Sequence, residues 1–349
     1  MPDQNPSAQV AEHADLTHVT DADIGYRRRR AGKGFHYLDS KGSGLRDHSS
    51  LARIRALAIP PAWSDVWICA DPAGHIQATG RDDRGRKQYR YHAAWTACRD
   101  EAKFSSLVGF ARSLLLLRSR VDADLRGRGV SRQRVLATVV SLLDNTFIRV
   151  GNDAYALENN SFGLTTLRSR HVQVEGTSLR FSFVGKSGRQ WRLRLSDRRV
   201  ASVIRAIQEL PGQRLFQYLD EEDQRRDIRS QDVNDYIRDA VGEDFTSKHF
   251  RTWGATVSAA MALADIELPA TKREQAIALN SALDEVAGML HNTRAVCRRC
   301  YVHPAVIDTW LKGRLGDEIG AIWRRLPRPL KGLDRDESTV LRWLSRQKG

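Results

Sequence analysis

Lys248-His249-Phe250-Arg251-Thr252-Trp253-Gly254 opens a helical pattern expected over 247–264 and sets a lysine and an arginine in its first turns. Three other stretches frame it. Upstream, Val135, Val139, Leu142 and Thr146 recur at helical spacing and lead into Phe147-Ile148-Arg149-Val150-Gly151-Asn152, where Gly151 is expected to end the helix. Between the two arginines, Phe183-Val184-Gly185-Lys186-Ser187-Gly188 puts a lysine on a glycine-flanked turn. Phe181 and Phe183 alternate with polar residues before it, and Trp191, Leu193 and Leu195 do so after it, which predicts a β-hairpin inserted between His171 and Leu195. Downstream, Asn292-Thr293 precedes Cys300-Tyr301 on a helix expected over 293–301. Helices at about 198–209, 230–241, 271–286 and 304–316, the last started by Pro304, make this part of the chain mostly α-helical.

Two arginines, a turn lysine and a late tyrosine suit one chemistry, attack on a phosphodiester by a phenol. The phosphate gains charge density in the transition state, and preorganised guanidiniums stabilise that state through paired hydrogen bonds. Arg149 and Arg251 are the candidates. Lys186 can protonate a leaving oxygen. Tyr301 is the candidate nucleophile; a phenol with a pKa of roughly 10 needs a positive setting to ionise, and Arg298, Arg299 and the two arginines can supply one. Taken singly, each has a plainer reading: a salt-bridged arginine, a solvated hairpin lysine, or one more of the 8 tyrosines packed in a core.

The composition agrees with a polyanionic partner. The formal net charge of the 349 residues is +14 and the pI about 10.0. No run of apolar residues is long enough to span a membrane, and Met1 to Leu16 lacks the basic-then-apolar pattern of a signal peptide, so a cytoplasmic protein is expected. Of the 4 cysteines, Cys297 and Cys300 form a C-x2-C on a predicted helix, but no second pair completes a zinc set. Reduced structural thiols are the expectation, with no metal and no cofactor.

The N-terminal third reads differently. Residues 1–24 are polar and aperiodic, a disordered tail. Tyr26 and four consecutive arginines beside Ala31-Gly32-Lys33-Gly34 form a basic run, expected as a solvated arm able to lie along phosphates. Phe35–Leu38 and Val66–Ala70 are strands, the latter returning through an Asp71-Pro72-Ala73-Gly74 turn to 75–80, with a helix at 49–57 between them. Gly85-Arg86-Lys87-Gln88-Tyr89-Arg90-Tyr91-His92 mixes basic, amide and aromatic groups, a set suited to phosphates, base edges and sugar faces. The fold class is therefore α+β. A β-rich domain over 25–95 precedes a helical catalytic domain over 96–320, and an extension over 321–349 carries one amphipathic candidate at 340–344.

In order and wording these stretches resemble the type IB DNA topoisomerases of the small bacterial and poxvirus-like branch, over roughly Tyr26 to Leu311. Phe147 to Asn152 resembles the first catalytic arginine motif, Phe183 to Lys186 the lysine hairpin, and Lys248-x-x-Arg251-Thr252 the second arginine motif. Tyr301 falls at the nucleophile and Gly85 to His92 at a DNA-reading strand. The resemblance implies relaxation of supercoiled duplex DNA through a 3′-phosphotyrosyl intermediate without ATP or metal, by a monomer clamping DNA in the bacterial nucleoid. It also implies DNA contacts by Arg86, Lys87, Gln88, Tyr89, Tyr91, Asn152, Tyr155 and Lys248. Many members have a histidine nine residues before the nucleophile. Here that residue is Asn292, a neutral donor, as in some bacterial members. Its neighbour His291 is the alternative, though a helix would turn it about 100° away.

Tyrosine recombinases share the order Arg, Lys, Arg, Tyr and are the second reading. Their second arginine box reads His-x-x-Arg, whereas Lys248 stands three before Arg251 here, and they lack the Arg86–Tyr89 domain. A basic DNA binder without catalysis is the third, and it would have no need of Tyr301.

Overall fold

The computed structural model describes residues 11, 15–32 and 34–347, leaving the side chains of 98–102, 154, 155 and 158 undescribed. Lys33 of the basic run and most of the first fourteen residues thus lie outside the described residues. The chain forms two compact units, 1–105 and 106–349.

The first unit is built on an antiparallel sheet of five strands: β1 (Gly25–Ala31), β2 (Gly34–Leu38), β3 (Ser64–Cys69), β4 (Ile76–Arg81) and β5 (Lys87–Tyr91), in spatial order β2-β1-β3-β4-β5. The arginine run is therefore not an arm. It is β1, hydrogen-bonded on both edges, and Arg28 turns to donate to the carbonyls of Pro60 (3.0 Å) and Trp63 (2.6 Å). Helix α1 (His48–Ala56), capped by the Asp47 carboxylate on Ser50 N–H, covers one face with Ile54 on Val66, Ile68 and Ala78. Its Arg53 reaches Cys69 O at 2.6 Å and Gln77 Oε1 at 2.6 Å. The opposite face buries Val19, Trp67 and Cys69. The expected disordered tail is thus too long. From Thr17 onward the backbone pairs with the Ala73–His75 turn, and the Trp67 indole N–H donates to Asp23 O at 3.0 Å. Helix α2 (Ala93–Ser105) follows β5 and belongs to this unit, so the division falls after Ser105 rather than near residue 95.

The second unit is helical: α3 (Leu107–Leu125), α4 (Arg132–Thr146), α5 (Asp153–Asn159), α6 (Arg198–Gln208), α7 (Ser230–Val241), α8 (Ser247–Ala264), α9 (Lys272–Leu290), α10 (Arg294–Cys300), α11 (Pro304–Leu311), α12 (Leu315–Arg325) and α13 (Arg335–Leu344). Strands β6 (Val172–Glu175), β7 (Ser178–Val184) and β8 (Gln190–Ser196) form the inserted sheet in that order. A small ribbon, β9 (Gln217–Leu219) with β10 (Arg225–Asp227), has too short a pattern to be read from sequence. The helix expected over 304–316 is two, broken by Gly313 at φ +69°. Helix α8 is central: it buries Phe250, Arg251, Thr252, Trp253, Ala255 and Thr256 and packs against α3, α4, α7, α9, α11, α12 and α13. Among the described residues no helix is long and apolar enough to cross a membrane.

The C-terminal extension is part of this core. Helix α13 is longer than the expected 340–344 because Asp334 caps it in a box with Glu337. It buries Val340, Leu341, Trp343 and Leu344. Glu337 also accepts from Arg118 on α3 (2.7 and 2.9 Å) and from the Trp253 indole on α8 (2.9 Å), while Arg118 pairs with Asp144 on α4. Burial alone would raise the Glu337 carboxyl, but the Arg118 guanidinium outweighs it and holds the group below its usual range. Glu337→Ala would leave Arg118 with Asp144 as its one carboxylate and the Trp253 indole N–H without an acceptor, which costs about 1–3 kcal/mol. Denaturant unfolding is expected to show that loss, and a variant as stable as the parent would refute the network's structural weight.

Candidate active site

Arg251 is 3% exposed, one turn into α8. Its guanidinium donates to Phe147 O and, at 2.9 Å, to Leu290 O, and its Cζ lies 5.1 Å from the centroid of the Tyr301 ring. One side chain thus ties the end of α4, the end of α9 and the residue after α10. Burial pushes the Arg251 pKa down, the nearby Arg149 charge pushes the same way, and Tyr301 opposes both. The contact with Phe147 explains a local correction. Helix α4 ends not at Gly151 but at Phe147, which adopts a left-handed conformation (φ 54°) and offers its carbonyl to Arg251. The Phe147 ring lies over Gly254, where a β-carbon would meet ring atoms at 2.3 Å. Gly151 serves a different need, allowing the backbone to approach Gly163 and Thr165.

Arg149 sits in the extended segment after α4. Its carbonyl accepts from Leu164 N–H at 2.9 Å, and Val150 O accepts from Thr165 N–H at 2.7 Å. Its Nη2 donates to Asn292 Oδ1 at 2.7 Å. The Asn292 backbone N–H returns to Ala287 O at 2.9 Å, fixing the residue at the end of α9. Among the described residues, Arg251 Nε and Asn292 Nδ2 are buried donors with no acceptor within reach.

Tyr301 follows α10 directly. Its N–H reaches Cys297 O at 3.0 Å, and Thr256 of α8 donates through its hydroxyl to Tyr301 O at 3.2 Å while accepting from His303 N–H at 3.1 Å. Cys297 is buried behind the arginines, its thiol pushed up to about 11 by burial although both guanidiniums pull the other way. It therefore stays a neutral packing group. Lys186 is exposed on the one-turn 3-10 segment Lys186–Gly188 joining β7 to β8, a turn that needs Ser187 at φ 64° and Gly188 at φ +73°. Lys248 and Asn152 are also exposed; the side chain of Tyr155 lies outside the described residues.

His291 and Asn292 point to different partners. His291 is not a helix residue. It caps α9 in the left-handed conformation, and its ring stacks on Trp191 of β8 with centroids 4.0 Å apart. The separation from Asn292 thus comes from a change of backbone direction and not from a step of helical rotation. Burial and the charges of Arg189, Arg251 and Arg149 lower the His291 pKa. This stack had no signal in the sequence, where Trp191 read only as an inward strand residue.

In the first unit the pleat divides the basic-aromatic octamer between two faces. Lys87, Tyr89 and Tyr91 share one: Tyr89 stacks on Tyr91 (5.8 Å), Tyr91 on Trp95 of α2 (4.4 Å), and the Lys87 ammonium lies 5.7 Å from the Tyr89 centroid. Gln88 and Arg90 take the other, registered on Gly80 and Ala78, and Arg90 donates to Ala58 O at 2.8 Å. Asp82 holds both Arg86 (2.7 Å) and Gln88 (2.9 Å), and the Arg86 guanidinium lowers the Asp82 carboxyl to about 2. Asp21, from the segment expected to be disordered, holds Lys87 at 2.6 Å. Among the described residues no group of three or more His, Cys, Asp and Glu side chains is gathered to hold a metal ion.

The comparisons with known proteins agree with one another. A family model described as the catalytic core of eukaryotic DNA topoisomerase I matches residues 92–312, and one described as the N-terminal domain of bacterial DNA topoisomerase IB matches 34–82. DNA topoisomerase 1B of Acanthamoeba polyphaga mimivirus is 32% identical over 285 residues, covering 80% of this chain and 85% of the viral protein. Vaccinia virus (strain Copenhagen) DNA topoisomerase 1B is 25% identical over 107 residues, 31% of this chain and 34% of its own. Rabbit fibroma virus DNA topoisomerase 1 is 22% identical over 237 residues, 66% of this chain and 70% of its own. With the match spread over both units, the chain belongs to the type IB DNA topoisomerases, enzymes of the isomerase class.

The Asp21–Lys87 pair carries a prediction for DNA binding. Asp21→Asn removes a competing anion from Lys87, so duplex affinity is expected to rise, with the slope of log affinity against log salt steeper by about 1. Fluorescence anisotropy over a salt series measures both, and an unchanged slope would separate Lys87 from the phosphates.

Proposed function

We propose that this enzyme relaxes supercoiled duplex DNA by cutting and resealing one strand, with Tyr301 as the nucleophile and with neither ATP nor metal. The observation that carries the reading is the convergence of Arg149, Arg251 and Asn292 beside Tyr301, with two of their buried donors lacking acceptors. A phosphate presented to Tyr301 would meet guanidinium and amide N–H groups already oriented. Groups fixed by the fold need no reorganisation as charge develops on the non-bridging oxygens. Asn292 contributes a neutral donor there and also braces Arg149 through its carbonyl oxygen.

In the forward step the Tyr301 oxygen bonds to phosphorus, the bond to the 5′-oxygen breaks, and the phenolic proton passes to solvent water. The Lys186 ammonium protonates the departing 5′-oxygen. The product is a 3′-phosphotyrosyl ester and a free 5′-hydroxyl. Exchanging one ester for another keeps the energy of the broken bond, so resealing is the same step reversed. Strand rotation in between removes supercoils. Lys87, Tyr89 and Tyr91 on one strand face, and Asn152, Tyr155 and Lys248 around the arginines, are the proposed DNA contacts. Arg86 and Gln88 join them by exchanging Asp82 for phosphate or base edges. A monomer acting at the bacterial nucleoid fits this chemistry, since every group it requires lies on one chain.

Relaxation of supercoiled plasmid in EDTA, without ATP, is the direct test, with Tyr301→Phe run beside the parent. The parent is expected to relax the plasmid and the variant to bind it without relaxing it. Relaxation by the variant, or a strict need for Mg²⁺, would overturn the mechanism. Asn292→Ala is expected to slow single-turnover cleavage about 10²-fold with duplex affinity nearly unchanged, the usual cost of one transition-state donor. A purely weakened affinity would instead assign Asn292 to ground-state binding.

A further inference from the structure

We infer that His291 and Trp191 are a positioning pair that holds the Lys186 hairpin in register with the Arg149–Asn292–Arg251 cluster, so that their stacked rings govern proton delivery to the leaving oxygen. The inference rests on the reading of Lys186 as proton donor.

Lys186 lies at the tip of a hairpin whose residues from 186 to 190 are all exposed. The turn itself must be registered to the arginines if the Lys186 ammonium is to meet one particular oxygen. A displacement of about 1 Å in reacting groups can cost 10²-fold in rate. Trp191 supplies the hairpin side of that reference. It is 3% exposed, stacks on Phe183 of the partner strand (5.9 Å, 4°), and lies against the backbone of Gly185, where a β-carbon would stand 2.7 Å from its indole atoms. Gly185 immediately precedes Lys186, and its N–H closes the turn on Arg189 O at 2.7 Å. The indole is therefore seated on the base of the lysine turn.

His291 supplies the other side. Its ring covers the indole at 4.0 Å with the planes 24° apart. It is held at φ 46° and ψ 52°, a conformation for which glycine or asparagine is the usual choice at a helix end. A residue with a β-carbon and a ring at this place gives up backbone comfort and gains the stack. The next residue is Asn292, bonded to Arg149. An unbroken series of contacts therefore runs from the turn, through Gly185, Trp191 and His291, to Asn292 and Arg149. Asn292 thus turns to Arg149, and the neighbouring histidine serves as a spacer ring against Trp191.

The test separates proton delivery from phosphate stabilisation. Single-turnover cleavage is measured on two duplexes, one ordinary and one in which sulfur replaces the 5′-bridging oxygen at the scissile bond. A thiolate leaves without a proton near neutral pH because its conjugate acid is far more acidic than an alcohol. His291→Asn keeps a residue tolerant of the left-handed conformation but removes the ring. It is expected to slow cleavage of the ordinary duplex about 10²-fold, to leave duplex affinity unchanged, and to cleave the sulfur duplex at close to the parent rate. His291→Phe, which keeps a ring for the stack, is expected to cleave both nearly as the parent does. His291→Asn at parental rate on the ordinary duplex, equal slowing on both duplexes, or His291→Phe as slow as His291→Asn would each overturn the pair. Lys186→Ala is the control. If sulfur restores its cleavage while His291→Asn is slow on both duplexes, the positioning pair alone fails; if sulfur does not restore it, the proton-donor role fails and the inference with it.

Discussion

A guanidinium buried to 3% exposure is costly unless its donors are met, and Arg251 meets most of that cost with main-chain carbonyls instead of a carboxylate. That choice has consequences throughout the second unit. An acidic partner would neutralise the charge and leave little for a phosphate. Carbonyl oxygens hold the group in place and keep its positive charge available. Because the carbonyls belong to Phe147 and Leu290, the same bonds fix where α4 and α9 end, and so fix Arg149 and Asn292 a few residues beyond them. The central helix α8 is the frame, and the side chains around Tyr301 are registered to it through Arg251, Thr256 and Gly254.

Much of this was legible in the sequence, for physical reasons that can be named. The long helices have apolar stripes at helical spacing, and the β7–β8 hairpin has strict alternation around a Gly-Lys-Ser-Gly turn. Arg149, Lys186, Arg251 and Tyr301 stood out through the order of their motifs, since each taken singly has a plainer reading. What was not legible depends on meetings between distant segments. Four arginines in a row give no sign that Tyr26 will pack toward α1 while Arg27 stands beside Trp67 in register, because charge masks the alternation that marks a strand. Helix α4 stops short of Gly151, the usual signal for a left-handed stop, because a tertiary hydrogen bond and the seat on Gly254 hold Phe147 in that role. The ordering of residues 17–24 likewise depends on Trp67 and the 73–75 turn, which composition cannot register.

The basic-aromatic octamer shows how a motif can be plain in composition and unresolved in geometry. Read along the chain, it is one set of groups; placed on β5, it is two. The Lys87–Tyr89–Tyr91 face continues into Trp95 as an aromatic ladder, and the Gln88–Arg90 face packs toward α1. Acidic neighbours, Asp21 and Asp82, already occupy three of its polar groups. Any polyanion meeting these groups would exchange one set of partners for another, which favours discrimination over raw affinity.

The position of α13 in chain order bears on biosynthesis. All of the candidate site residues are made before Arg335, yet the carboxylate that braces α8 through Trp253 and α3 through Arg118 belongs to Glu337. A nascent chain that has emerged only as far as Tyr301 would carry every candidate site residue without the element that buttresses α8. The bracing of α8 is therefore complete only once α13 has been made.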